Sequence, residues 1–235
     1  MRRIILSVML LAVSLQAQDI YATFTVEAKK SANLAFTSSG TVNNVLVDVS
    51  TEVKKGDVLA ELQNDDLKAA LNIATTALKY AKKEYNRQLK VKKLLDASKL
   101  DSYALQYESA KAKVLYQQAL LDKTILKAPF DGVIYEKLVE EGDVVSGAMI
   151  RTVLKMQSLH ERKLVLEFDQ KYWKEIKIGQ VFHYSIDGDS KKYSGKISKI
   201  YPYADSGNRK IRAEVEAKDF VPGLFGDGTI TLSEK

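Results

Sequence analysis

Residues 49–62 read VSTEVKKGDVLAEL, and their rhythm returns at residues 138–154 as LVEEGDVVSGAMIRTVL. Each copy follows an alternating apolar segment entered at a glycine, Gly40 in the first and Gly132 in the second. Gly40 to Gly56 lines up with Gly132 to Gly147, one residue shorter. An apolar tail follows each, Val58 and Leu59 in one case and Met149 and Ile150 in the other. Glycine at such turns supplies the positive φ that a β-carbon resists. Two unrelated hairpins have the same local pattern, so position decides between the readings. The copies bracket a long insert of different periodicity. If that insert is a helical hairpin its ends lie together, and the two copies close into the halves of one small β-domain.

The insert reads as helix because no Gly or Pro interrupts the chain from Asp57 to Ala128. Leu67, Leu71, Ala74, Leu78, Ala81 and Tyr85 recur at alternating steps of four and three, a narrow seam of period 3.5. Asn64 is placed to cap this helix, with Asp65 and Asp66 in the first turn favoured by the helix dipole. A break falls in LLDASKLDSY, where Ser98 followed by Asp101 resembles a capping box. The second helix then runs to about Lys123, with Leu105, Ala112, Leu115, Tyr116 and Ala119 as its apolar side. Two helices joined by a short turn run antiparallel. A first arm of about 30 residues extends roughly 45 Å.

The N-terminus, MRRIILSVMLLAVSLQAQ, has the basic, apolar and small-residue zones of a secretory signal. Its apolar run is shorter than the roughly 20 residues of a membrane span, and cleavage near Ala17 or retention as an anchor are the two readings. From residue 158 onward, RKLVLEF, GQVFHYSID, YSGKISKIY, RKIRAEVEA and GDGTITL are short strands of a small antiparallel barrel or sandwich. DQKYWKEI is read as a short helix that Trp173, beside Tyr172, anchors onto the barrel, and GLFGDG as a turn without the lysine of a phosphate loop. The domain reading is therefore a signal at 1–18, N-terminal strands joining the barrel at 19–35, half-motifs at 36–63 and 126–157, a hairpin at 64–125 and a barrel at 158–235.

Composition excludes several classes of chemistry. With no cysteine there are no disulfides or thiol nucleophiles, and His160 and His183 are isolated from any ligand-like cluster. No metal or cofactor is expected, and no catalytic set is visible. The formal charge is +6, and residues 65–126 carry 12 Lys and Arg against 7 Asp and Glu. Because Lys79, Lys82, Lys83, Arg87, Lys90, Lys92 and Lys93 lie all around the helix, they read as a solvated surface. A nucleic-acid face would confine them to one side.

The order of half-motif, hairpin, half-motif and barrel resembles the periplasmic adaptor (membrane fusion) proteins of HlyD type. SGTVNNVLVDVSTEVKKGDVLAEL is similar to the family's first lipoyl half, and LKAPFDGVIYEKLVEEGDVVSGAMI to its second. The resemblance implies an elongated, mixed α and β protein: an antiparallel coiled-coil hairpin between two halves of a lipoyl-like domain, then a barrel. It implies a non-catalytic periplasmic subunit without cofactor. Such a subunit bridges an inner-membrane transporter, most often of resistance–nodulation–division (RND) type, and a TolC-like outer-membrane channel, and associates with itself into a ring, a hexamer or a trimer of dimers. At the hairpin tip, Arg87, Leu94, Leu95, Ser98 and Lys99 take the channel-contacting role by the same resemblance, although their spacing departs from the usual pattern. Ser50 stands where the family usually has glycine, while Gly142 keeps it. The barrel strands close the chain at Lys235, where larger members continue into a membrane-proximal domain, so the pump class is left open. Alternatives are an adaptor of an ATP-driven exporter or type I secretion system, or a lipoyl or biotinyl carrier. The last requires an exposed lysine on a tight turn between the halves, where this chain has the long insert.

Overall fold

The computed structural model describes residues 19–91 and 96–232, which divide into two compact units. One is Lys30–Leu159; the other joins the chain up to Lys29 with the chain from His160. The sequence-predicted signal at 1–18 lies outside the described residues.

In the first unit the repeat is a symmetric device. Strands β2 (Ser31–Leu34), β9 (Leu154–Gln157), β7 (Gly132–Lys137) and β4 (Glu52–Val53) form one four-stranded sheet in that order. Strands β6 (Ile125–Lys127), β5 (Val58–Leu62), β3 (Gly40–Val45) and β8 (Val144–Val145) form the other. Each half lends its short strand to the other's sheet: Val53 pairs with Gly132, and Val145 with Gly40. The backbone bonds are reciprocal as well. Ser50 N donates to Ile134 O and Gly142 N to Val42 O, while Ile134 N donates to Thr51 O and Val42 N to Asp143 O. Ser50 and Gly142, Thr51 and Asp143, and Val42 and Ile134 are thus equivalent positions.

The repeated turn explains its own residue types. In Lys54–Asp57 and Glu140–Asp143 the last N–H donates back to the first carbonyl at 3.0 and 3.2 Å, and the Asp side chain accepts the first N–H at 2.8 and 2.9 Å. In Asp48–Thr51 the Thr51 hydroxyl replaces that carboxylate, accepting from Asp48 N at 3.0 Å. The third residue of each turn is left-handed: Gly56 at φ 94°, Gly142 at 91° and Ser50 at 70°. Ser50 therefore adopts a conformation disfavoured for residues with a β-carbon.

Two boundaries of the sequence reading are corrected. Strand β2 pairs with β9 in the split domain rather than with the barrel. In the second half the apolar tail is Val153, Leu154 and Met156, all buried, whereas Met149 and Ile150 are exposed. The tight turn of the first half is replaced here by a longer loop. Gly147 belongs to that loop, where a β-carbon would stand 2.6 Å from Thr37 O. The shared core packs Val42, Leu59 and Leu62 with their counterparts Ile134, Val153 and Met156.

The second unit is a closed six-stranded barrel in the order β1 (Ile20–Ala28), β10 (Glu161–Asp169), β13 (Lys210–Lys218), β12 (Tyr193–Ala204), β11 (Val181–Ile186), β14 (Phe225–Ile230). Alternation sends Ile20, Ala22, Phe24 and Val26 inward from β1, and Leu164, Leu166 and Phe168 from β10. The predicted GLFGDG turn is largely strand β14. Gly226 and Gly228 leave the space that the rings of Phe24 and Phe182 fill, and those rings meet edge to face at 5.8 Å. The predicted short helix is a 3₁₀ turn at Gln170–Tyr172. Tyr172 packs on the barrel core near buried Ile176, and Trp173, expected to anchor the segment, is instead 63% exposed.

On the barrel's outer face Glu214 is buried between Lys163 Nζ (2.9 Å), Lys199 Nζ (3.1 Å) and Tyr201 OH (2.6 Å). Burial alone would favour the neutral acid, but these donors outweigh it and hold the carboxyl at about 2, well below the usual range.

Candidate functional site: the helical hairpin

The hairpin leaves and re-enters the split domain at one place. Helix α1 (Asp65–Lys90) follows β5, and α2 (Ala97–Asp122) leads into β6, its neighbour in the same sheet. Leu62 N donates to Thr124 O at 2.9 Å, closing the base. Asn64 occupies the N-cap position, but its side chain makes no cap bond. Buried, it donates from Nδ2 to Thr124 Oγ1 at 3.1 Å, and Thr124 Oγ1 donates to Leu121 O at 2.7 Å. Asn64 therefore clasps the two legs instead of satisfying its own helix. Thr124, the partner in that clasp, was not singled out from sequence; polar residues flanking both ends of the insert were the available signal.

Each helix of 26 residues is about 39 Å long. On α1, Leu67, Leu71, Ala74, Leu78, Ala81 and Tyr85 are all buried or half-buried. On α2 the expected side is the wrong one, since Leu105, Ala112, Leu115, Tyr116 and Ala119 are exposed. The covered stripe is Leu100, Tyr103, Tyr107, Ala110, Val114, Gln117 and Leu121, in steps of three and four. Tyr107 stacks on Tyr85, ring centroids 5.6 Å apart and 9° from parallel. Apolar residues stand on two faces of α2, and the larger exposed set concealed a seam that includes Gln117 and Ala110. Ile73 and Tyr80 of α1 are exposed too.

At the tip, α1 ends with Val91 N donating to Gln88 O. Arg87 binds Glu84 at 2.7 Å, and Gln88 donates to the same carboxylate. The cap of α2 is Asp96, not Ser98: the Asp96 side chain accepts from Ser98 N at 3.4 Å, and helix begins at Ala97. Ser98 and Lys99 lie exposed in the first turn, and the Ser98 hydroxyl makes no hydrogen bond among the described residues. Leu94 and Leu95, also expected at the tip, lie outside the described residues.

Among the described residues no group of three or more His, Asp or Glu side chains is placed to hold a metal. His160 Nδ1 lies 3.0 Å from Asp219 Oδ1, with both side chains in solvent. No described helix is long and apolar enough to cross a membrane.

A hairpin borne by a symmetric split domain, with a six-stranded barrel in the same chain, is the architecture of membrane fusion adaptors. The family model of the CzcB-like barrel-sandwich hybrid domain matches residues 30–153, and the chain belongs to that family of efflux-system adaptor proteins. It is 24% identical over 218 residues to the cobalt-zinc-cadmium resistance protein CzcB of Cupriavidus metallidurans, covering 83% of this chain and 41% of that protein. It is likewise 24% identical to the macrolide export protein MacA of Yersinia pestis, over 83% of this chain and 61% of that one. The chain thus spans roughly half the length of these relatives. Among solved structures, a MacA–MexA chimera carrying the Pseudomonas aeruginosa MexA α-hairpin domain matches with a TM-score of 0.85 at 21% identity. That match covers 93% of this chain and 83% of the chimera.

Proposed function

We propose that this chain is the periplasmic adaptor of a tripartite efflux system in a Gram-negative envelope. In this reading its hairpin docks on a TolC-like outer-membrane channel and its β-domains serve an inner-membrane transporter of RND type. The observation that carries the reading is the hairpin itself. It is a two-helix arm fixed at one end by the Asn64–Thr124 clasp, with Arg87, Ser98 and Lys99 exposed near the other. The excess of cations along the arm would steer it toward an acidic channel mouth.

The second apolar stripe supports self-association. Counted in heptads from the seam, Ile73, Tyr80 and Arg87 occupy one flank of the hairpin, and Asp101, Leu105, Glu108 and Leu115 the opposite flank. With Tyr85 level with Tyr107, Ile73 stands level with Leu115–Ala119, and Arg87 within a turn of Asp101 and Leu105. Copies at equal height would meet α2 against α1, a head-to-tail contact that gives a ring where the rotation between copies closes.

Because the chain lacks cysteine, single-site crosslinking tests both claims. In intact cells, Ser98→Cys should capture an outer-membrane channel protein, while the exposed barrel control Lys191→Cys should not. Capture of only inner-membrane or soluble proteins by the tip removes the docking claim. An Ile73→Cys/Leu115→Cys protein should give a disulfide ladder that neither single variant gives. A double variant that stays monomeric removes the ring.

A further inference from the structure

The barrel has an open, aromatic mouth that its own core does not explain. Strand β12 carries an irregular stretch between Ile200 and Ala204, where Ile200 pairs with Ala213 and Ala204 with Ile211. There three residues, Tyr201-Pro202-Tyr203, stand opposite the single Arg212, and all three line a groove of about 730 Å³. Trp173, beside the 3₁₀ turn, lines the same groove. Phe168, Ile200 and Ile211 line it too; Phe168 belongs to the barrel core, and Ile200 and Ile211 pack against it. The groove therefore continues the apolar interior out to solvent, and two of its aromatics are left more than half exposed: Trp173 at 63% and Tyr203 at 54%.

Three observations narrow what fits there. The size is that of a small-molecule site, and mouths of β-barrels are a recurrent place for one. The amides of Gln170, Trp173 and, next to the groove, Asp205 are already bonded to Arg209 O, Gln170 O and Lys210 O. Tyr201-Pro202-Tyr203 have no ladder partner in β13, but Pro202 interrupts them, so they give a peptide no continuous run of amides to extend. Among the described residues Lys171 is the one charged side chain lining the groove; its ammonium lies 4.7 Å from the Tyr172 ring centroid, and its side chain is 64% exposed. Asp169 Oδ2 is 4.0 Å from that ammonium, at the limit of an ion pair, so the cation remains open to a second anion.

We propose that the barrel mouth binds a small amphipathic aromatic anion, its rings between Trp173 and Tyr203 and its anionic group on Lys171. The site is independent of the hairpin and of the docking reading above. Trp173 is the only tryptophan in the chain, so the protein carries its own reporter. The full chain is titrated with 8-anilinonaphthalene-1-sulfonate while Trp173 emission and its energy transfer to the probe are followed. Saturable quenching with one probe per chain is expected. Tyr203→Ala should weaken binding about tenfold through lost stacking, and Lys171→Gln about threefold, as for a partly exposed charge contact. Circular dichroism verifies that both variants remain folded. An anilinonaphthalene bearing an ammonium in place of the sulfonate should bind more weakly than the sulfonate. Quenching that does not saturate, or affinity unchanged in both variants, overturns the site. Equal binding of the ammonium analogue overturns the role of Lys171, and tighter binding of decyl sulfate overturns the aromatic class.

Discussion

The symmetry of the split domain provides an internal control for a packing prediction. Gly40 and Gly132 are equivalent, each facing the short strand lent by the other half. A β-carbon on Gly132 would overlap the carbonyl oxygen of Gln157 and stand 3.0 Å from its carbon. Relief requires moving the β9 backbone and its ladder with β7. On Gly40 the nearest atom is Leu62 Cδ1 at 3.3 Å, the end of a side chain that can rotate. Overpacking costs about 1–3 kcal/mol and more where backbone must shift, while Gly→Ala at a compatible position gains about 0.4–1 kcal/mol from the unfolded chain. Gly132→Ala should therefore lose about 3 kcal/mol, and Gly40→Ala should stay within about 1 kcal/mol of the parent. Both described α-helices lie in this unit, so urea unfolding followed by α-helical circular dichroism reports on it selectively. Equal losses at the two positions would refute the argument that close backbone approach, and not strand propensity, dictates glycine at 132.

Ser50→Gly should stabilise the same unit by about 0.5 kcal/mol, because relief of roughly 1–2 kcal/mol in the left-handed region exceeds the added unfolded-state entropy; an unchanged or lower urea midpoint would count against it. Asn64→Ala should cost about 1–2 kcal/mol by removing a buried donor, and a double-mutant cycle with Thr124→Val should show coupling of about 1 kcal/mol; additivity would show that the clasp contributes little. Glu214 has a folded pKa of about 2, below its ordinary 4.5, so its ionised form contributes stability above pH 4.5 that is lost as pH falls toward 2. The contribution is roughly 3 kcal/mol. Glu214→Gln should flatten the acid limb of barrel stability, read from Trp173 emission, and a limb as steep as the parent's would place the acid dependence elsewhere.

What was legible in the chain follows from how local each signal is. The first helix was readable because its large apolar residues, Leu67 through Tyr85, stand on a single face. The second carries two apolar faces, and a seam holding Ala110 and Gln117 is quieter than an outer stripe holding Leu105 and Leu115. Ser98 resembled a cap in isolation, yet Asp96, two residues earlier, is at the helix boundary with an acceptor of the right reach. The equivalence of Ser50 with Gly142 was visible, but Met149 and Ile150 were matched to Val58 and Leu59 because a pattern of glycines does not register a longer loop. The aromatic groove has no local mark: Trp173 reads as a packing residue until Tyr203, distant in sequence, is found lining the same groove.

The closed base of the hairpin makes the arm an exchangeable part. With Leu62 and Thr124 already joined by a backbone bond, and Thr124 held on Leu121 O, the sheets need from the helices above that base only that both ends return to one point. A tight loop there would leave the β-domain topologically whole, and an arm longer or shorter by whole heptads would meet the same junction. Reach can therefore be altered by evolution or by grafting without renegotiating the fold beneath it.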